Sequence, residues 1–140
     1  MTDLPLTIRP IAPAATYALR HDVLWPDKPA THVQLPDDDA GQHFGAFAGE
    51  EVVSVISLFI DGSEARFRKF ATAPAYQRRG IGGQLLAYTI EAARAAGATS
   101  LWCDARQTAL AFYQRFGLQP EGATFYKGDI PYLRLRRPLP

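Results

Sequence analysis

The residues whose types and spacing best suit a chemical role lie at positions 77–83, just before a segment with helical periodicity. They comprise Gln77, Arg78, Arg79, Gly80, Ile81, Gly82 and Gly83. The first N–H groups of a helix have no partner within the helix, and the helix dipole adds positive potential there. Because glycine has no side chain, an anion can approach these N–H groups closely. The segment is therefore predicted to bind a phosphate or diphosphate.

Packing alone could also account for these glycines, which would then serve only a tight turn and the close approach of helix to sheet. Among phosphate ligands, a dinucleotide fold requires a third glycine where Leu85 stands. A nucleotide-binding P-loop requires a Gly-Lys-Ser/Thr ending, which is absent. Coenzyme A is a third interpretation of this segment, and it depends on the family resemblance described below.

The composition excludes several classes of protein. Fifteen Lys and Arg nearly balance fourteen Asp and Glu, which argues against a general nucleic-acid binder. The three histidines and the single cysteine, Cys103, show no metal-ligand spacing, so no metal is expected. One cysteine forms no internal disulfide, and residues 1–9 show no signal peptide. No apolar run approaches the ~20 residues that span a bilayer, so a cytoplasmic protein with no membrane association is expected.

Hydrophobic patterning predicts strand, helix, a three-strand meander, helix, strand, helix and two strands. The predicted strands are residues 6–9, 43–48, 52–60, 65–72, 100–103, 123–126 and 132–135. The predicted helices are residues 13–21, 80–96 and 107–116, and residues 25–41 are interpreted as a long irregular loop. Residues 134–137, with three arginines, are interpreted as an edge strand protected by charge. A strand–helix–strand unit requires a parallel pair, and the hairpins make the sheet mixed.

Two motifs carry a resemblance to a known family. Residues 77–82 match the Q/R-x-x-G-x-G/A signature of the GCN5-related N-acetyltransferase (GNAT) superfamily, and residues 109–118 resemble its A-x-x-F-Y-x-x-x-G-F motif. Arg106 stands where the family often has Asn, and Leu118 where Phe is usual. The order of elements agrees from about residue 6 to 135, and some segments resemble the ElaA-like branch.

The resemblance implies one GNAT domain over residues 1–140, an α/β (α+β) fold. Its mixed, mostly antiparallel sheet of six or seven strands would be flanked by helices and splayed at the acyl-CoA site. The implied activity is transfer of acetyl from acetyl-CoA to a primary amine by direct attack in a ternary complex, without a metal. The amine could belong to a small molecule or a protein. A non-catalytic acyl-CoA-binding or regulatory module on the same fold is the alternative, and a homodimer is possible.

Site residues follow from the same resemblance. The implied acetyl-CoA contacts are residues 77–83 with Phe70, Ala71, Thr72, Arg106 and Phe112. Tyr113 matches the general acid that protonates the leaving thiolate, although its place in an apolar helical stripe also suits core packing.

The sequence does not single out a general base. The candidates are His43, Asp104, Glu64 and His21, and a water chain could act instead. Arg68 and Lys69 are adjacent in a predicted strand, so their side chains should point to opposite faces. A cation in the cleft would favour a substrate that bears a carboxylate or phosphate.

Overall fold

In the computed structural model, residues 5–140 are described. The prediction about a signal peptide falls partly on residues 1–4, which lie outside the described residues. The strands are β1 (Leu6–Ile11), β2 (Gln42–Ala48), β3 (Glu51–Asp61), β4 (Glu64–Thr72), β5 (Ser100–Arg106), β6 (Gln119–Lys127) and β7 (Ile130–Pro138). The α-helices are α1 (Tyr17–Leu19), α2 (Ile81–Ala95) and α3 (Leu110–Gln114). Short 3₁₀ turns occupy Pro13–Thr16, Ala30–Val33, Asp38–Ala40, Pro74–Tyr76 and Gln107–Ala109, and a π-helical turn occupies Arg20–Leu24.

All seven strands form one mixed sheet in the order β1-β2-β3-β4-β5-β7-β6. Every neighbouring pair is antiparallel except β4 and β5. That parallel pair is short, since its register runs only from Glu64 opposite Ser100 to Arg66 opposite Trp102. Beyond Arg66 the two strands separate, and the sheet opens into a cleft. The predicted fold class, a mixed and mostly antiparallel sheet that is splayed, is confirmed.

One face of the sheet is covered by α2 and α3. Ile81, Leu85, Leu86 and Ile90 of α2 are buried, which gives the helix an apolar face against the sheet. Fully burying each such side chain stabilises the fold by about 1.5–3 kcal/mol. The packing fixes α2 so that its N-terminus lies beside the end of β4.

The opposite face is covered over β3 and β4 by the first helical segment. Leu19 is buried against Val55 and Ala71, and Val23 and Leu24 pack against this cluster. The segment extends three residues beyond the predicted end at residue 21, because a π-helical turn continues α1. It therefore carries Leu24 and Trp25 to the mouth of the cleft.

Two predictions about the C-terminal third are corrected. The third helix is shorter than predicted, because a 3₁₀ turn precedes α3, which ends at Gln114. The arginine-rich strand β7 is not an edge, since it lies between β5 and β6 and leaves β6 at the edge. Arg134 and Arg136 stand on one face of β7 over the ring of Trp102, with guanidinium carbons 4.1 and 6.0 Å from its centroid. The ring of Trp102 and nearby carboxylates stabilise the charged side chains of Arg134 and Arg136. These arginines therefore do not require an edge strand.

Candidate active site

The cleft between β4 and β5 contains two cavities that share Phe70 and Ala109 in their walls. The large cavity, of about 920 Å³, lies between the end of β4, the start of α2 and α3. The residues that line it are Val23, Phe70, Ala71, Thr72, Tyr76, Gln77, Arg78, Gly80, Gly82, Gly83, Ala109, Phe112, Arg115 and Phe116. Nine of the twelve residues predicted to contact a cofactor are thus brought to one cavity.

Three residues predicted for the same role lie elsewhere. Ile81 is buried in the core. The guanidinium carbon of Arg79 lies 5.4 Å from the ring centroid of Tyr76, outside the cavity wall. Arg106 lines the small cavity described below.

The turn before α2 presents its backbone to the large cavity. Gly80 is the N-cap residue with φ of 79°, and no side chain caps the helix. Arg78 has φ of 64°, a left-handed conformation that is uncommon without glycine. The Nε2 of Gln77 donates a hydrogen bond to the carbonyl oxygen of Thr72 at 3.0 Å, which ties the turn to β4. The first-turn N–H groups of α2 therefore have the geometry of an anion site.

Gly82 and Gly83 also serve close packing. A Cβ atom on Gly82 would lie 3.3 Å from Cζ of Phe70 and 3.5 Å from Oγ1 of Thr72. A Cβ on Gly83 would lie 3.2 Å from Cζ of Phe116. A packing role for the glycines and an open anion site are therefore both consistent with the same helix end.

A β-bulge in β4 separates the two cavities. Ser57 of β3 lies opposite Arg68 and Val55 opposite Ala71, so the single residue Ile56 faces both Lys69 and Phe70. Lys69 has φ of 54°. The expected alternation of Arg68 and Lys69 is wrong for this reason, because the bulge brings both side chains to the small cavity.

The small cavity, of about 260 Å³, lies where β4 and β5 are no longer paired. The residues that line it are Leu24, Trp25, Phe67, Arg68, Lys69, Phe70, Cys103, Asp104, Ala105, Arg106, Thr108, Ala109, Tyr113, Lys127 and Tyr132. Burial and then the neighbouring charge of Arg68 lower the pKa of Lys69 to about 8. Its Nζ lies 4.3 Å from the ring centroid of Trp25.

Tyr113 lies in the wall of the small cavity within an aromatic cluster. Its ring centroid is 5.7 Å from that of Phe67, 6.5 Å from that of Phe70 and 5.2 Å from that of Phe112. Burial, with a smaller contribution from Cys103, raises the pKa of Tyr113 well above its ordinary value. The phenol therefore keeps its proton at neutral pH and is able to donate it.

Of the four residues considered as a general base, only Asp104 lines the small cavity. Its oxygens accept hydrogen bonds from Nε of Arg134 at 2.9 Å and from Nη2 of Arg66 at 3.3 Å. The two arginines therefore hold the carboxylate of Asp104 in one position in the cavity wall.

The other three candidates line neither cavity of the cleft. His43 is buried, with Nε2 at 2.8 Å from the carbonyl oxygen of Asp38, to which it donates. Glu64 accepts a hydrogen bond from Arg136 at 2.6 Å, at the start of β4, where β4 and β5 are paired. The Nε2 of His21 donates to the carbonyl oxygen of Lys28 at 2.7 Å.

Cys103 lines the small cavity but is only 2% exposed. Burial raises the pKa of its thiol to about 12, so the thiolate is scarce at neutral pH. Within residues 5–140, no group of three or more His, Cys, Asp or Glu side chains is placed to hold a metal ion. No helix in the described part of the chain has both the length and the apolar character to cross a bilayer.

Several residues of the cleft were not found from the sequence. Arg115 and Phe116 line the large cavity, and Lys127 and Tyr132 line the small one. The last two come from the β6–β7 hairpin, which is far from β4 in sequence. Only the helical spacing of Phe116 from Phe112 could have indicated one of these positions.

Comparison with known proteins places this fold and cleft in a family. The family model described as "Acetyltransferase (GNAT) family" matches residues 12–118. The chain belongs to this family and is an N-acetyltransferase. It is similar to the uncharacterized N-acetyltransferase YitI of Bacillus subtilis (strain 168), with 27% identity over 135 residues that cover 90% of this chain and 89% of YitI.

Solved structures agree with this fold. A putative N-acetyltransferase from Lactobacillus plantarum superimposes with a TM-score of 0.86 at 24% identity, covering 96% of this chain and 98% of that one. Escherichia coli ElaA, whose branch some segments of the sequence resemble, superimposes with a TM-score of 0.82 at 17% identity. The match covers 95% of this chain and 99% of ElaA. A GNAT family acetyltransferase from Elizabethkingia anophelis, solved with acetyl-CoA bound, superimposes with a TM-score of 0.75 at 22% identity. The match covers 96% of this chain and 98% of that one.

Proposed function

We propose that this protein transfers the acetyl group of acetyl-CoA to a primary amine, with both substrates bound together in the cleft. The observation that carries the proposal is the meeting of two cavities at Phe70. One cavity is walled by the glycine turn at the start of α2, and the other is lined by the half-buried, protonated Tyr113. A donor in the first and an acceptor in the second would meet beside the β4 bulge.

The residues around the large cavity suit coenzyme A. The first N–H groups of α2 would bind the pyrophosphate, with the side chains of Arg78 and Arg115 supplying charge nearby. The pantetheine arm would lie along the edge of β4 at Phe70, Ala71 and Thr72, which β5 leaves unpaired. Such an arm resembles an added strand, whose amides pair with the free edge of a sheet.

The small cavity suits the reaction of an amine with the thioester. The amine attacks the carbonyl carbon, a C–N bond forms, and the C–S bond breaks as the thiolate leaves. Tyr113 would give its phenolic proton to the departing sulfur. Backbone N–H groups at the bulge, where Lys69 and Phe70 share one partner in β3, would stabilise the oxyanion. Holding both reactants in place can supply about 7–11 kcal/mol of the barrier.

The proton released by the attacking amine would pass to water in the small cavity. Asp104 is the one candidate base in contact with that space, and both of its oxygens already accept hydrogen bonds from arginine. It therefore serves better to hold Arg66 and Arg134 than to accept a proton.

Two measurements test the proposal. Acetyl-CoA at one hundred times its dissociation constant should stabilise the folded state by about 2.7 kcal/mol, which thermal unfolding detects readily. A screen of primary amines with detection of free thiol should then find acceptors, and initial-rate patterns should intersect as expected for a ternary complex. Binding of acetyl-CoA without thiol release from any amine would instead support the non-catalytic module.

A further inference from the structure

The small cavity is strongly electropositive. The cationic side chains in its wall come from three strands and are Arg68, Lys69, Arg106 and Lys127. Asp104 is the one carboxylate among the residues that line it. That carboxylate is already paired with Arg134 and Arg66, which lie outside the wall. The cations of the cavity therefore have no free acidic side chain inside it to neutralise them.

Three of these cations have no ion-pair partner among residues 5–140. The Nζ of Lys69 faces the ring of Trp25, and the Nζ of Lys127 lies 4.5 Å from the ring centroid of Tyr132. Arg106 forms no salt bridge or side-chain hydrogen bond within the described residues. Arg68 has only a loose contact with the half-exposed Asp37, at 3.4 Å. Two lysines on aromatic walls and two arginines are thus available to a ligand.

We propose that the acceptor of this enzyme is a small amine that also carries a carboxylate or phosphate group, which Lys69 and Lys127 bind. The inference rests on the proposed function, because it names the class of substrate that the small cavity takes. A cavity of about 260 Å³ holds a small molecule. Trp25 and Tyr132 would cover its apolar part, and the acidic group would neutralise the surrounding cations.

The charge state of Lys69 supports this assignment. Burial contributes most to lowering its pKa to about 8, and the remainder comes from the charges of Arg68, Lys127, Arg20 and Arg66. These groups come from β4, β6 and the first helical segment, so the repulsion is built in by several elements. A bound anion would offset that repulsion.

The first test compares matched amines as acceptors. A panel would pair each acid with its neutral counterpart, for example β-alanine with β-alaninamide and phosphoethanolamine with ethanolamine. The acids should have values of kcat/KM at least tenfold higher than their partners, as one charged hydrogen bond provides. The carboxylate and phosphate pairs show which anion is preferred. The preference should fall about tenfold or more in Lys69→Met and in Lys127→Met.

Lys28→Met is the matched control, because Lys28 is the remaining lysine of the chain, is exposed and lines neither cavity. It should leave the preference unchanged. Neutral amines that react as fast as their acidic partners would overturn the inference. So would an acid preference that survives in the double variant of Lys69 and Lys127.

The second test measures binding without turnover. Protein saturated with coenzyme A, which has no acetyl group to transfer, would be titrated with the same pairs by calorimetry. The acids should bind at least tenfold more tightly, and Lys69→Met should abolish the difference. If acetyl-CoA binds but no acid binds or reacts, the inference fails while the donor site stands. If acetyl-CoA itself does not bind, the proposed function fails instead.

Discussion

Arg20 and Asp38 form a buried, bidentate ion pair that holds the loop of residues 25–41 against β3. Nη1 and Nη2 of Arg20 each donate to an oxygen of Asp38 at 2.9 Å, and Arg20 is 0% exposed. The same guanidinium donates to the carbonyl oxygen of Val33 and to Oγ of Ser57. Burial opposes ionisation of Asp38, but the hydrogen bonds from Arg20 and Leu35 outweigh it and hold its pKa below the ordinary value. The loop is thereby fixed to β3, with Asp37 beside Arg68.

Replacing Asp38 should destabilise the fold more than the removal of a side chain of that size would suggest. In Asp38→Ala, Arg20 remains buried without its partner, and breaking such a pair costs about 3–5 kcal/mol of unfolding free energy. Chemical denaturation with linear extrapolation measures the difference. Asp39→Ala is the matched control, since Asp39 is exposed and should change stability by less than about 0.5 kcal/mol. Equal losses in the two variants would contradict the structural role of the pair.

Tyr113→Phe should separate binding from catalysis. The ring and its contacts with Phe67 and Phe112 remain, so acetyl-CoA should raise the melting temperature as in the unmodified protein. Loss of a general acid should lower kcat by about 10²-fold or more. Thiol release under saturating substrates gives kcat, and Tyr126→Phe, which removes an exposed phenol that lines neither cavity, serves as the control. An unchanged kcat would mean that Tyr113 has only a packing role.

Gly82→Val should block the large cavity. The added Cβ would lie 3.3 Å from the ring of Phe70 and 3.5 Å from Oγ1 of Thr72, at the proposed pyrophosphate end of the cleft. Stabilisation by acetyl-CoA in thermal unfolding should therefore decrease by at least about 1.4 kcal/mol, which corresponds to a tenfold weaker affinity. Gln84→Val, an exposed change on the same turn of α2, should keep the full response. A full response in Gly82→Val would exclude this end of the helix as the anion site.

The preference for acidic amines should depend on pH. Lys69, with a pKa of about 8, is charged below that pH and becomes neutral as pH rises through it. The ratio of kcat/KM between an acid and its neutral partner reports the free enzyme, so it should be constant below pH 8 and decline above it. The charged groups that act on Lys69 are those of Arg68, Lys127, Arg20 and Arg66.

Lys69→Met identifies the group responsible for that decline, because Lys127 and Asp104 remain in the cavity of the variant. The ratio should become low and independent of pH near 8. A decline of the same size in Lys69→Met would assign the titration to another group, with Lys127 as the next to be replaced.

Local patterns were enough to predict the order of the elements. Alternating apolar residues predicted the strands around β3, and the spacing of Ile81 and Leu85 predicted α2. Gly49 and Gly62 have positive φ in the turns that join β2 to β3 and β3 to β4. The boundaries were less accurate where the backbone departs from ideal geometry, as in the π-helical turn after α1 and the 3₁₀ turn before α3.

The candidate base residues illustrate what local patterns could not supply. Asp104 and Glu64 look alike in sequence, each a carboxylate adjacent to one end of a predicted strand. In the structure, Glu64 lies where β4 and β5 are paired, and Asp104 lies beyond the point where they separate. His43, a plausible base by type, is instead buried against Ser57 and the carbonyl of Asp38. Position along two diverging strands, not residue type, decides which of these groups lines the cleft.

The sequence alone determined the strand–glycine turn–helix unit that defines the family, because that signal lies within a dozen consecutive residues whose backbone geometry is local. Only the tertiary structure decided which side chains line the small cavity. The bulge directs the side chains of Arg68 and Lys69 into the same cavity. The order of the strands brings Lys127 and Tyr132 beside them. Register and strand order arise from contacts between residues far apart in the chain, and no local pattern specifies them.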